Sequence, residues 1–181
     1  MRIVAGQWRG RLLTAPAGTV TRPTADRVRQ ALFDSLMHAP WAGRGWVEGA
    51  VVLDLFAGTG AMGLEALSRG AARAVFVEQD RAALASLRAN IAACRAEERC
   101  QVLAMDVGRV PAGEAASLVF LDPPYGVGLV GTGLVRLRAV GRIAPGALVV
   151  AEMGRDEPAL DVEALAERTH GAARVTVWRE G

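Results

Sequence analysis

Five short apolar runs most constrain what this chain can become. They are AVVLDLF (50–56), RAVFVE (73–78), CQVLAM (100–105), SLVFLD (117–122) and GALVVAEM (146–153). None alternates cleanly between apolar and polar residues, so each reads as a strand covered on both faces. Helical patterns separate them. AMGLEALSRG follows the first run, DRAALASLRANIAACR (80–95) the second, and LVRLRAVGR precedes the fifth. Leu84, Leu87 and Ile91 share one side of the 80–95 pattern. This βα alternation predicts an α/β doubly wound sheet.

The two ends carry other patterns. Residues 1–13 alternate weakly around Gly6 and Gly10, as in a small β-hairpin. A Pro, Gly and Thr-rich loop follows over 14–23, then a helix from about Thr24. Thr24 suits an N-cap, and Val28, Ala31, Leu32, Ser35 and Leu36 fall on one face. Near the other end, 162–168 has helix propensity and 174–180 alternates like a strand. A helix–strand ending and an antiparallel hairpin turning at Gly171 both fit.

A chain of 181 residues suits one domain, and 51% apolar with 22% charged residues suits a globular one. No uncharged apolar run nears the roughly 18 residues that span a bilayer. The opening MRIVAGQWRGRLL is too interrupted by Arg for a secretory signal. Cys94 and Cys100 lack metal-ligand spacing, and His38 lies far from His170. The expectation is no metal and reduced thiols in a cytoplasmic protein. A monomer is the default.

The net charge of +2 hides an asymmetry. Residues 1–30 carry six Arg and one acid, a net +5, and the rest carries −3. A basic arm on a mildly acidic body predicts a polyanion partner, held by the planar fork of Arg on phosphate.

In such sheets ligands bind beyond the carboxyl ends of the strands. The first strand ends in DLFAGTGAMG, where Gly58, Gly60 and Gly63 match G-x-G-x-x-G. Glu78 follows twenty residues after Gly58 and closes the second strand, where a carboxylate can hold ribose hydroxyls. Met105 and Asp106 close the third, suited to the face and amino group of adenine. The fourth ends in Asp122-Pro123-Pro124-Tyr125. Proline fixes φ, donates no N–H and holds the preceding residue extended. The corner therefore offers a carboxylate, stiff carbonyls and an aromatic ring. An exocyclic amine on a planar base suits it; hydride transfer and pyrophosphate do not.

These motifs resemble the class I S-adenosylmethionine-dependent methyltransferases of the amino-group branch, through DLFAGTG and DPPY. RIVAGQWRGRLL and TRPTADRVRQALFDSL add a resemblance to the RsmD family of bacterial 16S ribosomal RNA guanine-N2 methyltransferases. That resemblance implies a seven-stranded, mostly parallel sheet with helices on both faces. It also favours the hairpin at the tail. It divides the chain into an RNA-contacting arm and loop (1–23) and a methyltransferase domain (24–181). It implies that Asp54, Phe56, Gly58 and Gly60 surround the methionyl part of the cofactor. Glu78 would hold its ribose and Met105 with Asp106 its adenine. Thr24, Arg27 and Arg22 would sit over it. Asp122, Pro123, Pro124 and Tyr125 would hold the target guanine, and Gln7, Trp8, Arg9, Gly10 and Arg11 would meet RNA. Trp8 either stacks on a base or packs the hairpin. Two rivals use the same motifs. A DNA adenine-N6 methyltransferase needs a sequence-reading module, for which this length leaves little room. A dinucleotide-dependent oxidoreductase leaves DPPY unexplained.

Overall fold

The structure is a computed structural model that describes residues 1–16, 23–126 and 128–181; the side chains of 23–25 and 44 lie outside that description. Seven strands form one sheet: β1 (Val51–Leu55), β2 (Arg73–Glu78), β3 (Cys100–Ala104), β4 (Ala116–Leu121), β5 (Ile143–Gly154), β6 (Ala164–His170) and β7 (Ala173–Arg179). Their order is β3-β2-β1-β4-β5-β7-β6. The first five are parallel, and β7 enters antiparallel between β5 and β6. The order reverses between β1 and β4, so that gap is the switch point where ligands bind.

Successive residues on the central strands serve two cores. Val52, Phe76, Phe120 and Val150 face one side, under α1 (Pro23–His38), α2 (Ala61–Ser68) and α3 (Arg81–Ala93). Leu53, Val75, Val119 and Val149 face the other, under α4 (Leu129–Ala139). Double burial is why these strands read as continuous apolar runs. Asp80 caps α3, its side chain accepting from the Ala83 N–H. Among the described residues no helix is long and apolar enough to cross a membrane.

Several expectations need correction. The arm holds one antiparallel bridge, Arg2 with Leu12, around a 3-10 turn at Gly6–Trp8, and not two strands. It lies against α2, where the Glu65 carboxylate accepts the Val4 and Ala5 N–H groups at 2.8 and 3.0 Å. A side chain has replaced a partner strand. Helix α1 starts at Pro23, so Thr24 is within its first turn and is not its N-cap. Its buried face is Arg29, Phe33 and Leu36; Ala31 is exposed. Apolar spacing alone missed that face because an Arg belongs to it. Helix α4 begins five residues before the LVRLRAVGR pattern. The tail is the hairpin, despite its local helix propensity. Val177 and Trp178 of β7 are buried, and burial against β5 outweighs propensity.

Candidate active site

The switch point sets the carboxyl ends of β1 and β4 beside the last few residues of β5. Leu55 pairs with Leu121, and Leu121 with Ala151. One residue beyond come Phe56, Asp122 and Glu152. All three line two adjoining cavities, and Tyr125 joins them in both.

The first cavity, about 620 Å³, is lined by Glu78, Met105, Val107, Pro123 and Pro124 besides the shared residues. Four acids border it, Glu78, Asp80, Asp122 and Glu152, and among the described lining residues no Arg. A pyrophosphate carries two negative charges and has no partner there. A cationic, hydroxyl-bearing nucleoside does. The second cavity, about 710 Å³, lies on the α1 side and is lined by Asp54, Gly58, Thr59, Phe120 and the His170–Ala173 turn.

The loop after β1 is shaped by close approach. Gly60 has φ 78°, and a Cβ there would meet the Leu87 side chain at 2.4 Å. Phe56 holds φ 61° without being glycine, a strained backbone of the kind found at ligand sites. The loop is tied to β2 by the Gly58 N–H, which donates to Glu78 at 2.8 Å. Gln79 and Asp80 also donate backbone N–H groups to Glu78, both at 2.7 Å. Asp106 accepts from Gly108 at 2.8 Å and caps a 3-10 turn, Val107–Arg109.

Electrostatics at the row are unusual. Asp54 is buried, and burial pushes its carboxyl up to about 8 despite a 2.9 Å bond from the Gly63 N–H. The charges of Asp122 and Glu78 add to the rise. Asp122 is exposed to solvent where the two cavities meet, yet protein crowds its other sides; that partial desolvation, then the Glu152 charge, raises its carboxyl to about 7. The Tyr125 hydroxyl donates to Glu152, and burial with that bond raises the phenol as well. Glu157 accepts the Gly126 and Gly154 N–H groups at 2.8 and 3.0 Å, fastening the loop after Tyr125 to the end of β5.

Not every expected residue is gathered here. Arg27 is exposed and lines neither cavity; Val28, Arg29 and Leu32 represent α1 in the second. Arg22 lies outside the described residues, as does the side chain of Thr24. Gln7, Trp8, Arg9 and Arg11 lie at the far end of α2 and α3. Gln7 donates to the Leu67 carbonyl at 3.3 Å, Trp8 N–H to the Ser68 hydroxyl at 3.0 Å, and Arg11 to the Ala93 carbonyl. The Arg99 guanidinium lies 5.0 Å over the Trp8 ring, so one ring face is covered. Arg9 is exposed and makes no ion pair or side-chain hydrogen bond among the described residues.

Glu152 and Glu157 were not anticipated. Glu152 left a signal, as an acid inside an otherwise apolar run. Glu157 left none, because its role depends on a loop folding back.

Over 153 residues the chain is 41% identical to Ribosomal RNA small subunit methyltransferase D of Escherichia coli strain K12, covering 84% of this chain and 74% of that protein. The same enzyme of Haemophilus influenzae is 34% identical over 187 residues, covering 99% and 93%. A family model described as Conserved hypothetical protein 95 matches residues 1–179. The chain belongs to this family, the RsmD family. The resemblance carried by the RsmD arm and loop motifs thus extends over nearly the whole chain. Among solved structures, Escherichia coli yhhF, provisionally assigned as a methyltransferase, superposes with a TM-score of 0.84 at 36% identity, covering 99% of this chain and 97% of that one. The T. thermophilus 16S rRNA N2 methyltransferase RsmC, solved with AdoMet and guanosine, superposes at 0.65 with 26% identity, covering 91% and 44%. The RsmD fold is that of the class I S-adenosylmethionine-dependent methyltransferases.

Proposed function

We propose that this RsmD-family protein methylates the exocyclic N2 amine of one guanine in 16S ribosomal RNA of the small subunit, using S-adenosylmethionine. The observation that carries the reading is the row Phe56, Asp122 and Glu152, with Tyr125, forming the boundary between two cavities. One cavity is acidic and nucleoside-sized; the other opens toward α1 and the β6–β7 turn. The residues assigned to the cofactor span both cavities, Glu78 and Met105 in the first and Asp54 and Gly58 in the second, so this row stands where its reactive sulfonium would lie. The names of the relatives support small-subunit ribosomal RNA as the substrate.

The cofactor supplies an electrophilic methyl on a sulfonium. Glu78 would hold its ribose, Met105 and Asp106 its adenine, and the 54–60 loop its methionyl part. The rest is the work of the corner. A guanine N2 lone pair is delocalised into the ring and weakly nucleophilic. The Asp122 carboxylate and the Pro123 carbonyl would accept hydrogen bonds from its two N–H groups, so the nitrogen pyramidalises and aims its lone pair at the methyl; as the N–C bond forms and the C–S bond breaks, one N2 proton leaves by way of Asp122 to solvent. Positive charge growing on nitrogen is stabilised by those fixed acceptors. Pro124 keeps the corner stiff, and the Tyr125 ring stacks on the base. Positioning is the main contribution, because the leaving group is already good. The target nucleotide has to leave its stack, which favours an exposed loop base.

The arm, with Gln7, Trp8, Arg9 and Arg11, supports a second RNA contact away from the target base. The protein acts as a cytoplasmic monomer in this reading.

Labelled methyl transfer to small subunits, or to their RNA, from cells lacking the gene tests the proposal. Mapping should find one N2-methylguanine. Transfer to duplex DNA with none to ribosomal RNA would overturn it.

A further inference from the structure

Two carboxylates stand side by side at this site, Asp122 just past β4 and Glu152 within β5, and among the described residues no cation pairs with either. Asp122 and Glu152 each lie one residue past the Leu121–Ala151 pair. Adjacent strands run about 4.8 Å apart. Both line the two cavities. The Tyr125 hydroxyl donates to Oε1 of Glu152, which orients that carboxylate, while Oε2 has no hydrogen-bond partner among the described residues and the side chain lines both cavities. Asp122 and the Pro123 carbonyl account for the N2 amine; Glu152 has no part in that step.

The Watson–Crick edges of the bases say what a second carboxylate is suited to. Guanine presents N1–H beside its N2 amine, so that side of the edge consists of donors. Adenine and cytosine present their amine beside a bare ring nitrogen, whose lone pair a carboxylate repels. We propose that Glu152 Oε2 accepts the N1–H of the target guanine while Asp122 holds its N2 amine, making Glu152 the residue that selects guanine. This rests on the guanine reading given under Proposed function. The mutual repulsion of the two acids fits it, since a donor-only edge relieves what an empty site leaves uncompensated.

The test uses small subunits assembled from ligated RNA, with guanosine or 2-aminopurine riboside at the mapped nucleotide. 2-Aminopurine keeps the N2 amine and lacks N1–H. The wild type should lose at least about 100-fold in kcat/KM on the analogue, as sites built around a hydrogen bond do. Glu152→Gln should lose at least about tenfold on guanine and shift the ratio toward one, because its amide can donate to the bare N1. Unchanged cofactor affinity by calorimetry shows that the variant is folded. Equal wild-type rates on both substrates overturn the inference and leave the guanine reading standing. So does a variant that slows both alike, which would make Glu152 a prop for Tyr125 only. Transfer by the wild type to adenine or cytosine, with none to guanine, sinks the guanine reading itself and the inference with it.

Discussion

The Gly58 N–H donates to the Glu78 carboxylate across 2.8 Å, joining the loop after β1 to the end of β2. One side chain thereby sets the shape of the loop and, with three of its roughly four lone-pair sites occupied, keeps one for the first cavity that it lines. Replacing Glu78 with Ala strands three backbone donors, at about 1–3 kcal/mol for each that stays buried. Affinity for S-adenosylhomocysteine, measured by calorimetry, should fall at least about tenfold. Glu78→Gln should fall between Ala and wild type.

Asp122→Ala should separate binding from transfer. Cofactor affinity is expected to change little, while single-turnover methyl transfer falls by about 10² to 10³, the usual cost of removing one charge-stabilising group. A fully active variant would remove Asp122 from the mechanism.

The raised carboxyls make two pH predictions with opposite sign. Asp122 accepts protons only when ionised, and it sits at about 7 in the free protein. So kcat/KM should climb as pH rises toward about 7 and level off above it. Stability runs the other way. The fold binds protons on Asp54 and Asp122 more tightly than the unfolded chain does, since both are raised from 3.8, Asp54 to about 8. The ligand-free protein should therefore lose stability as pH rises from about 4 to about 8. Melting curves of Asp54→Asn should show a flatter dependence.

Glu65 is the arm's anchor and a test of how firmly it is held. The carboxylate is fully buried between Arg29 Nε at 3.5 Å and Arg69 Nε at 2.8 Å. Removing one partner from a buried ion network costs about 3–5 kcal/mol. Glu65→Gln should show that loss in urea unfolding, with faster hydrogen exchange at Val4 and Ala5.

Arg9 and Arg11 should behave differently. Arg9 has no intramolecular partner among the described residues, so Arg9→Ala should weaken RNA binding and reduce the salt slope by about one. Arg11 is bonded to the Ala93 carbonyl, so its loss should also loosen the arm against the end of α3. An unchanged slope for Arg9→Ala would remove it from the RNA contact.

The sheet and its ligand-bearing end were legible because β1, β2, β4 and β5 are buried on both faces and a polar residue interrupts each apolar run; β3, expected to be covered likewise, lies at the edge and is only partly covered. Asp54, Glu78 and Asp122 stand out for that reason. Distant partners were not legible. Nothing near Glu65 announces that it replaces a strand for Val4 and Ala5, 60 or so residues away. Arg29 was counted with the basic arm, but it is buried and paired, because its acid partners come from the same helix and from α2. The hairpin at β6 and β7 needed the resemblance, since its local propensity pointed to a helix and only burial against β5 reverses that. Glu152 was visible as an acid in a buried strand, but its meaning required knowing that β4 and β5 are neighbours.

The clamped arm has a consequence for scale. Its tip rests on the last residues of α2, while Gly60 and the ligand-bearing strand ends lie at the other end of that helix, roughly 12 Å of helix rise away. Glu65 and Ser68 tie the arm to that helix through four hydrogen bonds. In the proposed reading, an RNA held at Arg9 with one base at Asp122 would have to match that span. The protein would then work as a calliper, and a calliper distinguishes one folded shape from another without reading a single letter between its jaws.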